Sequence, residues 1–161
     1  MMIPKIIFRY SWIYDQRWKD LDLLNKDSYP AADAIKAYIK VVEPLWQKDH
    51  HEILEELSNI STLSWQEETI TCYVVGRTIP FSDPLTIPIF KEVFDNFIDV
   101  LTHELIHQLF IQNSQRLEKS WNYVYKQYKE YAFNTRIHIP LHALHEHISY
   151  SIYPKAVKSR Y

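Results

Sequence analysis

The ten residues Val100-Leu101-Thr102-His103-Glu104-Leu105-Ile106-His107-Gln108-Leu109 decide how this chain is read. They lie within Phe90 to Ile111, a stretch without Gly or Pro in which Val93, Phe94, Phe97, Ile98, Leu101, Leu105 and Leu109 recur at helical spacing. A long helix is predicted here. Its residues around the two histidines are uncharged or apolar, so the helix is expected to be buried. His103 and His107 are four positions apart; on a helix their imidazoles point the same way and can converge on one ion at ~2.0–2.1 Å per nitrogen. Glu104 stands on a flank about 100° around the helix from His103. From there a carboxylate can reach a metal-bound water without taking a coordination place, which suits a general base.

Working outward toward the N-terminus, Phe81-Ser82-Asp83-Pro84-Leu85-Thr86-Ile87 precedes the helix, and Pro80, Pro84 and Pro88 punctuate it. Proline has no backbone donor, so an edge strand or extended loop is expected and a central strand is not. Before it, Thr69, Thr71, Tyr73 and Val75 alternate with Ile70, Cys72 and Val74, the period of a strand ending at Gly76. From Ala31 a helical stripe runs through Ile35, Ile39, Val42, Trp46, Ile53 and Leu57, with Pro44 expected to kink or divide it. Ile6 to Tyr10 reads as a short strand entering a turn at Ser11 to Gln16.

Toward the C-terminus, Trp121 to Phe133 puts Trp121, Tyr125 and Tyr128 on one helical face, and a last helix is expected from about Pro140 to Tyr153. The order of elements, strand, helices, strand, edge segment, long helix and further C-terminal helices, predicts an α+β fold with a small sheet. At 161 residues the chain fits one domain, 1–161.

Composition narrows the function classes. Hydrophobic residues at 47% and charged residues at 24% describe a folded chain rather than a disordered one. A net charge of -2, with no basic stripe, gives no general attraction to nucleic acid. The single cysteine, Cys72, cannot form an internal disulfide, and its strand setting favours a buried hydrophobe over a reactive thiol. The first twenty residues hold neither a signal-peptide core nor a membrane span, so a cytoplasmic protein that does not engage membranes is expected.

The motif and its uncharged flanks resemble the zincin clan of metallopeptidases. The resemblance is close over Val100 to Leu109 and looser over the preceding strand and edge segment. It implies a zincin-like α+β fold, a small mixed sheet with an edge strand packed on the long motif-bearing helix and further C-terminal helices, and a zinc-dependent hydrolase, a peptidase, with His103 and His107 as ligands and Glu104 as general base. The substrate would be a peptide or unstructured protein, laid along an edge strand at 81–87. Imidazole-rich sites also accept Co, Ni and Cu. The metzincin branch carries a third ligand, a His, six residues after the second, with a Gly between; Asn113 and Phe110 stand at those places, so that branch is excluded.

Gluzincin-like members take the third ligand from a later helix, and the candidates are Glu118, Glu130, Glu146 and the late histidines. Four of the eight histidines fall between His138 and His147. On a helix with Leu141, Leu144, Ile148 and Ile152 as its apolar face, His138, His142 and His145 form a strip along the edge. His142 ranks first as third ligand, Glu146 second, and His138 or His145 third. A Glu suits the gluzincin pattern better, but Ser149 and Tyr150 replace the acidic residue expected shortly after it. Whichever residue does not bind metal can donate to an oxyanion, as His145, Tyr150 or Tyr153 could. Asp99, one turn before His103, is a candidate to orient a ligand imidazole. The alternative function is a zincin-like domain that binds metal but regulates or scaffolds, against which the retention of Glu104 speaks. A third is a purely structural domain binding a partner through its Tyr and Trp residues.

Overall fold

A computed structural model describes residues 2–22, 28–91 and 93–152, and of 93–96 the backbone alone. The order is β1 (Lys5–Arg9), α1 (Trp12–Leu21), α2 (Ala32–Ser61), β2 (Thr69–Val75), β3 (Phe81–Ser82), β4 (Leu85–Pro88), α3 (Val93–Gln112), α4 (Ser114–Gln127) and α5 (Phe133–Ile152). The fold is α+β. Among the described residues four strands form one mixed sheet in the order β1-β2-β4-β3, with β1 parallel to β2, β2 parallel to β4, and β3 antiparallel to β4. The registers include Phe8 opposite Cys72, Val74 opposite Ile87 and Ser82 opposite Leu85.

Strand alternation sorts the two faces. Ile6, Phe8, Ile70, Cys72 and Val74 turn to one side and join Trp46, Leu54, Leu57, Phe97, Leu101 and Leu105 in a single core. On the other side α1 lies against the sheet. Tyr14 hydrogen-bonds Thr86 at 2.9 Å and packs with its ring tilted against Tyr73 at 5.1 Å, and Trp18 meets Phe81 at 5.3 Å. The sequence pattern suggested only a turn over Ser11 to Gln16. A helix forms instead because the Ser11 carbonyl accepts the Asp15 N–H and the face carrying Tyr14 and Trp18 has a sheet to cover.

The prolines also behave differently from expectation. Pro44 does not divide α2, which runs unbroken from Ala32 to Ser61. An interior proline costs ~3 kcal/mol, but Ile35, Val42, Trp46, Ile53, Leu54 and Leu57 are all at most 2% exposed. At ~1.5–3 kcal/mol for each buried side chain, the stripe on both sides of Pro44 outweighs that cost. β4 is a central strand, not an edge. Pro84 and Pro88 bracket Leu85, Thr86 and Ile87, whose donors remain available, so on this side of the sheet the two-residue β3 forms the edge. α5 begins seven residues before Pro140, which lies within it. Leu141, Leu144 and Ile148 hold this helix to the core.

Gly76 closes β2 where no side chain fits. A Cβ there would stand 2.5 Å from Cε1 of Tyr29. The close approach lets the Gly76 N–H donate to buried Asp15 at 2.9 Å, while Tyr29 donates its hydroxyl proton to the same carboxylate at 2.7 Å. This clasp fixes α1 and Tyr29 at the end of the sheet. Among the described residues no helix is long and apolar enough to cross a membrane.

Candidate metal centre

α3 carries the motif through the middle of the molecule. Leu101, Leu105, Ile106 and Leu109 are fully buried, so the helix cannot rotate without exposing apolar surface. Gln108 donates its amide to the Ser82 carbonyl of β3, and Asn113 donates to the carbonyls of Leu109 and Ser64 at 2.8 and 2.9 Å. Asn113, which stands where a metzincin has its third ligand, thus ends α3 and ties it to the loop after α2. With α3 held, His103 and His107 are presented along one edge, half-buried, with ring centroids 5.2 Å apart.

α5 packs beside α3 and brings its histidine strip to that edge. His103 lies 5.4 Å from His138, 5.5 Å from His142 and 5.5 Å from His145, centroid to centroid. His107 lies 5.1 Å from His138. The starting point of α5 matters here: because the helix begins at Phe133, His138 is within it and shares a face with His142 and His145. Nδ1 of His138 is 2.8 Å from the Asn134 carbonyl. A proton on Nδ1 makes that hydrogen bond and leaves Nε2 with a free lone pair, the tautomer a ligand needs. His145 Nε2 stands 3.3 Å from a carboxylate oxygen of Asp99.

Five imidazoles therefore meet, and their donor atoms fall into two groups of three, His103-His107-His138 and His103-His142-His145, each within 4.8 Å of one another. The donor set suits a borderline-soft transition metal. Tetrahedral bonds of ~2.0–2.1 Å put nitrogens ~3.4 Å apart, and side-chain rotation can supply the remaining closure. His142, first in the sequence ranking, groups with His103 and His145, whereas His107 groups with His138. Glu146 is exposed on the outer flank of α5, and Glu118 and Glu130 belong to neither group. Tyr150 is 47% exposed; Tyr153 lies outside the described residues.

Burial sets the protonation of the motif. His103 is pushed down to about 4 by burial and then by the charges of His145, His107, His138 and His142. His107 is likewise lowered to about 4, by burial and by His138 and His142. Both rings are neutral near pH 7, as ligation requires. Glu104 is only 7% exposed, and burial raises its carboxyl to about 7. A group near 7 can both accept and return a proton at neutral pH. Cys72, fully buried in β2, is a thiol held well above its ordinary range by burial and by Glu104, which makes it part of the core rather than a nucleophile.

An apolar cavity of about 340 Å³ lies on the opposite face of α5, lined by Phe110, Leu117, Trp121, Val124, Ala143 and Leu144 among others. It contains none of the five clustered histidines. A large apolar pocket is the usual first guess for a binding site, but the convergent titratable groups stand on the other side of the helix. No family model, curated protein or solved structure matches the chain.

Proposed function

We propose that the protein is a metal-dependent hydrolase of the zincin type, acting on amide bonds of peptides or unstructured protein segments. The observation that carries this is the meeting of two imidazoles four apart on α3 with a third from α5, together with a buried carboxyl at the motif's second position. His103, His107 and His138 would hold the ion, zinc being the natural occupant of a three-imidazole set. When bound, such an ion polarises a carbonyl and brings the pKa of a coordinated water down to about 7.

The rest falls to this chain's side chains. As neutral ligands, His103, His107 and His138 would leave a bound ion's charge uncompensated, which would favour charge build-up on a carbonyl oxygen. Glu104 accepts a proton at its carboxylate from the attacking water and delivers it to the leaving amine. Its burial keeps the proton affinity high enough for the first step and the acid strong enough for the second. His138 holds its tautomer through Asn134. The edge strand β3 is only two residues long and is tied to the motif helix through Gln108, so main-chain pairing there is short and a small substrate is favoured.

The test combines metal content with hydrolysis. Wild type should hold stoichiometric zinc and cleave members of a mixed peptide library; Glu104→Gln should keep its zinc and lose at least 100-fold in rate, the usual span of a general base being ~10²–10⁴. Zinc binding without any hydrolysis by wild type would favour the regulatory or scaffold reading, and equal cleavage by Glu104→Gln would remove the hydrolytic one.

A further inference from the structure

One ion cannot use all five imidazoles. Among the described residues the donor atoms form two groups of three rather than one of four or five. An ion in the His103-His107-His138 group leaves His142 and His145 outside its coordination, yet both stand against His103, with His103–His142 and His103–His145 centroids 5.5 Å apart. Surface histidines of a helix ordinarily spread into solvent. These two converge instead on a ring already shared by the first group.

His103 is the common member, and an imidazole has nitrogens on two sides of its ring. We infer that the cluster is a two-ion centre: a second divalent transition-metal ion binds His142 and His145, with His103 bridging the two ions through Nδ1 and Nε2. Bridging requires that the ring's N–H proton be given up to solvent, which leaves an imidazolate that offsets one unit of the added charge. Asp99, 3.3 Å from Nε2 of His145, offsets another from the side of the second position. Donors that are exclusively imidazole select zinc, copper, nickel or cobalt over calcium or magnesium, which require oxygen.

The two positions are unequal. His103, His107 and His138 are all half-buried, whereas His142 is exposed. Fixing an exposed ring costs more side-chain entropy, and the second ion enters against the charge of the first. The second equivalent therefore binds more weakly and exchanges faster. This inference takes the first group from the function proposed above but can fail by itself.

The experiment is a titration of chelator-stripped full-length protein with Zn²⁺, followed by calorimetry and elemental analysis, repeated with Cu²⁺ under electron paramagnetic resonance. Wild type should take two equivalents, the second at least tenfold weaker. The double variant His142→Ala/His145→Ala should take one, with its affinity within about threefold of the first wild-type step. Two Cu²⁺ ions in wild type should give a spin-coupled spectrum, replaced by that of an isolated ion in the double variant. Saturation of wild type at one equivalent, two equivalents retained by the double variant, or an uncoupled spectrum at two equivalents would each overturn the inference. One equivalent with Glu104-dependent cleavage leaves the single-ion hydrolase standing. No bound metal removes both.

Discussion

Acidifying the metal-free protein sets two groups of the site against a third. His103 and His107, ordinarily near 6.5, are held at about 4 in the native state by burial and neighbouring imidazoles. Between those limits the unfolded chain binds their protons and the native state does not, so their contribution is complete above about pH 6.5 and is lost as pH falls toward 4. Glu104 runs the other way. Burial raises it from 4.5 to about 7, so its contribution is complete below about pH 4.5 and is lost as pH rises through 7. Integrated from pH 7 to pH 5, each imidazole removes about 2 kcal/mol and Glu104 returns about 2 kcal/mol. From these three groups the wild type loses about 2 kcal/mol, His103→Gln/His107→Gln gains about 2 kcal/mol, and Glu104→Gln loses about 4 kcal/mol. Titrating groups outside the histidine cluster are shared, so they cancel when the pH dependence of each variant is subtracted from that of wild type. Urea unfolding in chelator, followed by the fluorescence of the five tryptophans, gives the stabilities at both pH values. If His103→Gln/His107→Gln loses as much stability on acidification as wild type does, the burial argument for the motif is wrong.

Three further outcomes test the fold around the site. Gly76→Ala should cost about 1–3 kcal/mol through the clash with Tyr29, read as a lower urea midpoint at unchanged slope. Asp15→Ala should cost about 2–4 kcal/mol, because the Gly76 N–H and the Tyr29 hydroxyl both lose their buried acceptor; an unchanged melting temperature would show that the clasp does not hold α1. Pro44→Ala should stabilise the protein by about 2–3 kcal/mol, the helix gain less the entropy returned to the unfolded chain, and a lower melting temperature would mean that α2 needs the proline.

Periodicity carried most of the fold. The stripes Ile35 to Leu57 and Leu101 to Leu109, and the alternation of Thr69 to Val75, each became the expected element because one face was buried as the pattern required. Proline was the weak signal. Its cost is local and fixed, whereas its tolerance depends on how much apolar surface lies on either side, and that is a property of the packed molecule. Pro44, Pro88 and Pro140 all sit in regular elements for that reason. At the site, four-residue spacing brought His103 and His107 together, and the strip of late histidines was legible as a strip. Its register against α3 was not. Which α5 histidine meets His107 depends on how far α5 extends before Pro140 and where Leu141 and Leu144 lock against the core, neither of which a one-dimensional pattern contains.

The packing of α5 also bears on the metal centre proposed for this cluster. A structural ion is needed where helices would otherwise not associate, as in small domains that unfold without metal. Here Leu141, Leu144 and Ile148 bury α5 against a core that already includes Leu101, Leu105 and Leu109 of α3. At ~1.5–3 kcal/mol for each buried side chain, three residues supply about 5–9 kcal/mol to α5 before any ion is present. The helix pair therefore stands without metal, and the histidines are positioned by the core rather than by the ion they would bind. On the function proposed above, ligands so preformed, three donor atoms to each group among the described residues, would leave a coordination place open, the arrangement that a catalytic ion requires and a structural one does without.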